Sequence, residues 1–206
     1  MSEICLIRHG QASFGADDYD RLSPLGVRQA KILARHLAKT GKVFDAVYCG
    51  EMERQRKTAQ EIINYYHEKQ LAVPRPRTDD DFNEYDSSAV WEALIPEMTA
   101  EQPSLAGELK KLPGDQKAFQ RVFSEVMNRW TKGEYKAAGI PRWDDFTRRI
   151  VRGIEKIAAR HGAQKRLAVF TSGGPISIAV KSALDLSCLL YTSPSPRDLI
   201  AHLVCR

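Results

Sequence analysis

Ile4-Cys5-Leu6-Ile7-Arg8-His9-Gly10-Gln11 is the stretch that decides the fold. Four apolar residues run without a break and then stop at a cation, an imidazole and a glycine. A short, continuous apolar run is what a strand buried on both faces presents. Residues 4–7 are therefore read as a strand that delivers charge at its C-terminal end. The same grammar returns twice. Phe44-Asp45-Ala46-Val47-Tyr48 reads as a second strand and leads into Gly50-Glu51-Met52-Glu53-Arg54. Leu167 to Phe170 reads as a third and leads into Thr171-Ser172-Gly173-Gly174.

Helical periods fill the intervals. Ser23 is a candidate N-cap with Pro24 at the first helical position. Val27, Ala30, Ala34 and Leu37 then repeat at the spacing of one helix face, ending near Gly41. Ala59, Ile62, Ile63 and Tyr66 mark the buried side of the next helix. Asp144 is a candidate cap for a later one, with Phe146, Ile150, Ile154 and Ile157 inward. Gly174-Pro175 opens a last helix with Ile176, Ala179, Val180 and Ala183 on one side. Strands alternating with helices predict an α/β fold, a three-layer α/β/α arrangement around a mainly parallel sheet.

The stretch from Asp79 to Tyr85 is acidic and reads as a solvated loop. From Val90 to about Gly139 the signals are helical, best in Phe119, Val122, Phe123, Val126, Met127 and Trp130, and are broken by Pro103, Pro113 and Gly114. This region, about 88–140, is read as a helical cap inserted into a single domain of residues 1–186. Residues 187–206 read differently: Ser187-Cys188-Leu189-Leu190-Tyr191-Thr192-Ser193-Pro194-Ser195-Pro196-Arg197-Asp198 resembles a translated sequencing adaptor, so this tail is expected to be non-native.

Lys and Arg total 31 against 26 Asp and Glu, a net charge of +5. That balance suits an anionic substrate or weak nucleic-acid contact without choosing between them, and no Lys/Arg block is long enough to act as a nucleic-acid arm. Cys5, Cys49, Cys188 and Cys205 form no pair or Cys/His set with zinc spacing. No run approaches the length of a membrane span, and no signal-peptide pattern opens the chain. The expectation is a cytoplasmic protein with no metal, no cofactor, no nucleic-acid partner and no membrane contact.

In parallel α/β sheets ligands gather at the carboxyl ends of strands. Those ends here carry Arg8 and His9, then Arg54, then Ser172-Gly173 feeding a helix N-terminus, whose free N–H groups favour an anion. Two guanidinium groups, an imidazole and a helix end make a phosphate-sized site.

At this point a resemblance becomes specific. Leu6-Ile7-Arg8-His9-Gly10-Gln11 resembles the Arg-His-Gly signature of the histidine phosphatase (phosphoglycerate-mutase-like) superfamily. Leu22-Ser23-Pro24-Leu25-Gly26-Val27-Arg28-Gln29-Ala30 is similar to its first-helix pattern. Arg54-Gln55-Arg56-Lys57-Thr58-Ala59 resembles the segment of its second pocket arginine, and Phe82-Asn83-Glu84-Tyr85-Asp86 the segment of its acid/base glutamate. The resemblance implies a phosphatase acting through a phosphohistidine on His9. Arg8 and Arg54 would bind the phosphoryl group with Ser172 and Gly173, and Glu84 would serve as general acid and base. The implied substrate is a phosphorylated small molecule or a phosphohistidine protein.

Three departures accompany it. Ser172 stands where the family carries a second histidine, which removes a positive charge and costs on the order of a hundredfold in rate; Thr171 offers a second hydroxyl. Gly15, after Phe14, stands where mutases place an asparagine, which weakens a mutase reading. The tail replaces expected strands. A slow phosphatase and a phosphate-binding pseudoenzyme or interaction module both remain open, with a mutase behind them. His36, His67, His161 and His202 read as surface residues, Arg56 and Lys57 as exposed charges, and Trp91, Trp130 and Trp143 as packing.

Overall fold

The computed structural model describes residues 2–13, 20–112 and 115–185; the expectations about Phe14-Gly15, Pro113-Gly114, His202 and the tail fall outside them. Among the described residues four strands form one parallel sheet: β1 (Glu3–Arg8), β2 (Ala46–Cys49), β3 (Arg77–Thr78) and β4 (Arg166–Thr171), in the order β1-β4-β2-β3. β4 is central, and its Leu167, Ala168, Val169 and Phe170 are essentially inaccessible. That burial on both faces is the reason for its unbroken apolar run. The helices are α1 (Pro24–Lys39), α2 (Glu53–Glu68), α3 (Ser87–Glu101), α4 (Leu105–Leu109), α5 (Gln116–Lys132), α6 (Trp143–His161) and α7 (Gly173–Ala183).

Strand alternation divides the core in two. Cys5, Ile7, Val47, Cys49, Ala168 and Phe170 point to Ala34 and Leu37 of α1 and Ala59, Ile62 and Tyr66 of α2. Leu6, Ala46, Tyr48, Leu167 and Val169 point the other way, to Phe82, Ile157 of α6 and Ile176 of α7. Helices on both faces of a parallel sheet are the three layers expected from the alternating pattern.

The chain separates into two compact units, Met1–Glu84 with Arg149–Arg206, and Tyr85–Arg148. The second holds α3, α4, α5 and the start of α6. Its interior is aromatic: Trp130 is fully buried, with ring centroids 4.5 Å from Tyr85 and 5.1 Å from Trp143. Trp130 Nε1 donates to the Pro141 carbonyl at 2.9 Å, which satisfies the polar end of a buried indole. Trp91 stacks on Phe119 at 5.9 Å.

Several local expectations need correction. Asp144 lies inside α6, which starts at Trp143, so it is not the cap. On α7 the side chain of Ile178 is buried and Ala183 is exposed, because the helix is enclosed on more than one side near its start. The acidic stretch is not a solvated loop throughout. It forms a 3-10 turn, Asp80–Phe82, in which Asp81 is only 2% exposed; Arg152 and Lys156 of α6 each reach it at 2.5 Å and supply counter-charge. His161 is partly buried and shares a 2.8 Å hydrogen bond with the Tyr48 hydroxyl. No helix among the described residues is long and apolar enough to cross a membrane.

Candidate active site

Register brings the strand ends together. Arg8 pairs with Thr171 and Cys49 with Phe170. The ladder then runs one step further: the His9 N–H donates to the Thr171 carbonyl at 2.9 Å and the Gly50 N–H to the Phe170 carbonyl at 3.1 Å. His9, Gly50 and Ser172 therefore leave the sheet on a common edge. The loop after His9 is clamped to the start of α1. A Cβ on Gly10 would lie 2.4 Å from the Gly26 carbonyl oxygen, and one on Gly26 would lie 2.2 Å from that of Gln11. Only paired glycines permit so close a backbone approach. Ser23 caps α1 as expected, accepting from the Gly26 N–H at 3.0 Å, and also donates to Gln11 Oε1 at 2.8 Å.

His9 is 8% exposed. Its Nδ1 lies 2.7 Å from the Gly10 carbonyl oxygen, an acceptor only, so Nδ1 carries the hydrogen and Nε2 the lone pair. Arg54 Nε donates to that Nε2 at 3.1 Å. Burial first, then the Arg54 charge and more weakly that of Arg8, push the imidazole down to about 3, against the partial opposition of the Gly10 carbonyl. The ring is neutral near pH 7, and its Nε2 lone pair is held by the Arg54 guanidinium.

This shift links to stability. An unfolded chain protonates His9 below about pH 6.5, whereas the folded one stays neutral down to about 3. Folding is therefore disfavoured as pH falls through 6.5, and the contribution is fully present only above it. At about 1.4 kcal/mol per pH unit, His9 accounts for roughly 2–3 kcal/mol of the stability lost between pH 6.5 and 4.5. Urea unfolding at those two pH values should show that excess in the parent chain and lack it in His9→Asn. Equal losses in both proteins would contradict the assignment.

Arg54 opens α2, is 7% exposed, and its Nη1 meets Asp20 Oδ1 at 2.6 Å. Asp20 Oδ2 also accepts from the Glu53 N–H at 2.7 Å. Met52, the residue before α2, makes no side-chain cap bond, so a carboxylate from a distant loop takes that place and aligns Arg54 at once. Arg8 is half-buried, and its Nε is enclosed without a partner among the described residues. It faces the start of α7, where a Cβ on Gly173 would lie 4.0 Å from that Nε. Glu84 Oε2 accepts from the Gly174 N–H of α7 at 3.0 Å. The loop presenting Glu84 is held by Arg149, which donates to the Asp80 and Asn83 carbonyls at 2.7 and 3.0 Å.

Arg8, His9 and Arg54 thus form one cluster, with Ser172 and Gly173 beside it, and Glu84 accepts from the first turn of α7. Thr171 plays a different part from the one foreseen: it is wholly buried and its hydroxyl donates to the Phe82 carbonyl at 2.6 Å. Ser172 Oγ accepts from Gln55 Nε2 at 2.8 Å. Asp20, Gln55 and Arg149 were not foreseen as site residues; each acts across a long sequence gap that leaves no local signal. Asp79, Asp80 and Asp81 bring carboxylate oxygens within 4.8 Å of one another, but Lys156 bridges Asp79 and Asp81 and Arg152 also meets Asp81.

The sequence profile described as the histidine phosphatase superfamily (branch 1) matches residues 4–193. A Hydrogenobacter thermophilus protein named "Putative phosphoserine phosphatase 2" is 34% identical over 101 residues, 46% of this chain; the chain spans about half of that relative's length, 48%. The structure of Bacillus stearothermophilus YhfR is similar with a TM-score of 0.62 at 17% identity, covering 95% of this chain and 86% of that one. Phosphoglycerate mutase from Bacillus anthracis gives 0.55 at 19%, covering 88% and 79%. The two structures speak for the fold alone.

Proposed function

The chain belongs to the histidine phosphatase superfamily, and on that premise we propose that it hydrolyses phosphomonoesters of small metabolites through a phosphohistidine on His9. The observation that carries this reading is the neutral, tautomer-fixed imidazole whose Nε2 lone pair accepts from a guanidinium, the group that would pass to an arriving phosphoryl oxygen. A nucleophile beside a cation is arranged for a dianionic electrophile.

In the first step His9 Nε2 forms a bond to phosphorus as the ester P–O bond breaks, and Glu84 gives its proton to the departing oxygen. In the second, water attacks the phosphoryl group, Glu84 takes a proton from that water, and the P–N bond electrons return to Nε2. The phosphoryl oxygens carry the charge in both transition states, and Arg8 and Arg54 offer forked, permanently charged donors to them. The substrate class follows the relative named as a phosphoserine phosphatase; a phosphohistidine on a protein is the other phosphoryl donor this chemistry accepts.

Rapid quench with p-nitrophenyl phosphate, followed by mass spectrometry under alkaline conditions, tests the proposal. An acid-labile, base-stable phosphoryl group on the peptide containing His9 is expected. Turnover with no phosphoprotein, or with the label elsewhere, would exclude it. A phosphate-binding module without turnover is the second reading, favoured by the uncharged Ser172; vanadate binding without hydrolysis across a substrate panel would support it.

Arg54→Met is expected to lower kcat on the same substrate by on the order of 10²- to 10³-fold. The substitution removes a donor to the phosphoryl group and leaves the Asp20 carboxylate without its 2.6 Å partner near His9. Adding Asp20→Asn to Arg54→Met should recover part of the loss, because the stranded anion is then gone. A kcat within tenfold of the parent would remove Arg54 from the proposed machinery.

A further inference from the structure

Gln55 is completely buried, yet its side chain lies one residue beyond Arg54 and reaches the edge of the proposed phosphoryl site. Its Nε2 meets two oxygens, Ser172 Oγ at 2.8 Å and the Phe82 carbonyl at 3.3 Å. The carbonyl can only accept, which fixes the amide's orientation: nitrogen toward Phe82 and Ser172, oxygen away. That oxygen packs where a side chain on Gly50 would be, 1.9 Å from an ideal Cβ, and has no donor among the described residues. An unsatisfied buried acceptor is costly, so the arrangement calls for a reason.

The reason lies in the polarity it imposes. A serine hydroxyl has one hydrogen and two lone pairs. Since Ser172 Oγ accepts from Gln55, its hydrogen points elsewhere, and no acceptor for it exists among the described residues. Ser172 also precedes α7, where a serine side chain would ordinarily turn to cap the helix. It makes no such bond. A 1% exposed hydroxyl is thus held off its own helix with its hydrogen uncommitted.

We propose that Gln55 is a positioning residue that holds the Ser172 hydroxyl as a donor to a phosphoryl oxygen, in place of the charge that a second histidine would supply. The inference rests on the reading of this cluster as a phosphoryl site, and assigns Gln55 no contact with the substrate. A group that accepted from Ser172 would turn the hydroxyl away from the oxyanion, and one that neither donated nor accepted would leave it free to rotate.

A double-mutant cycle tests it, using Gln55→Met, Ser172→Ala and both together. The readouts are kcat and KM on p-nitrophenyl phosphate, vanadate affinity by calorimetry, and melting temperature. Ser172→Ala is expected to lower kcat and vanadate affinity by about 30- to 100-fold with KM little changed, and Gln55→Met by about tenfold. The double variant should be no worse than Ser172→Ala alone, because the amide acts only through the hydroxyl. Gln55→Glu adds a direct check. When protonated, its carboxyl donates as the amide does; when ionised, it accepts from the serine hydroxyl and turns it from the phosphoryl site, so kcat should fall with rising pH along a limb the parent chain lacks.

Losses that multiply in the double variant, or a Gln55→Met protein with parental vanadate affinity and only a lower melting temperature, would overturn the inference. The two levels fail in different measurements. Absence of a phosphoryl group on His9 defeats the phosphatase reading, while vanadate affinity still reports the Ser172 donor without turnover. A parent chain that binds no vanadate defeats both.

Discussion

His9→Asn is expected to lower turnover of p-nitrophenyl phosphate by on the order of 10⁴- to 10⁶-fold, the scale on which loss of a covalent nucleophile is felt, while affinity for inorganic phosphate stays within a few-fold. Asparagine is chosen for what it preserves. Its amide nitrogen can donate to the Gly10 carbonyl that now lies 2.7 Å from Nδ1, and Arg54 keeps its ion pair with Asp20. Because His9 is neutral in the fold, the exchange strands no counter-charge, and the chain should still fold. What disappears is a lone pair able to bond to phosphorus. Steady-state kinetics and calorimetry on the same preparation separate the alternatives. A variant within tenfold of the parent shows that the chemistry is elsewhere, and a parent as inactive as the variant, with both binding inorganic phosphate, identifies a binding module.

The parts of this site that could be read from sequence are those whose geometry is local. Arg8 and His9 stand out because a doubly buried strand must be apolar up to the residue where it leaves the sheet. Ser23 and Pro24 announce α1 for equally local reasons. Gln55 was invisible because Arg54-Gln55-Arg56-Lys57 is a polar run at a helix start, which ordinarily means solvent. Arg56 and Lys57 are indeed exposed, while Arg54 and Gln55 are buried. Nothing in the run says where that divide falls. Asp20 was hidden likewise, since its bonds to α2 cross 33 and 34 positions. Asp81 read as a solvated acid because its counter-charges arrive from α6, more than 70 positions away. β3 is two exposed residues long and carries no apolar signature. Charge and burial that are reconciled at long range leave no trace in a local period.

Glu84→Gln carries the other large expected effect, and its size should depend on the leaving group. Glutamine keeps an oxygen to accept from the Gly174 N–H that Glu84 now meets at 3.0 Å, so the loop and α7 stay as they are. It cannot donate a proton to a departing alkoxide or take one from water. General acid–base catalysis contributes about 10²- to 10⁴-fold, and an alkyl phosphate such as phosphoserine needs the whole of it, since an alkoxide is a poor leaving group. A nitrophenolate departs unprotonated, so the first step on p-nitrophenyl phosphate should survive almost intact. The second step still needs a base. The variant should therefore release a stoichiometric burst of nitrophenol, then turn over slowly with the phosphoryl group held on His9. Alkyl and aryl esters slowed by the same factor, with no burst, would show that Glu84 moves no proton and serves only to fix the first turn of α7.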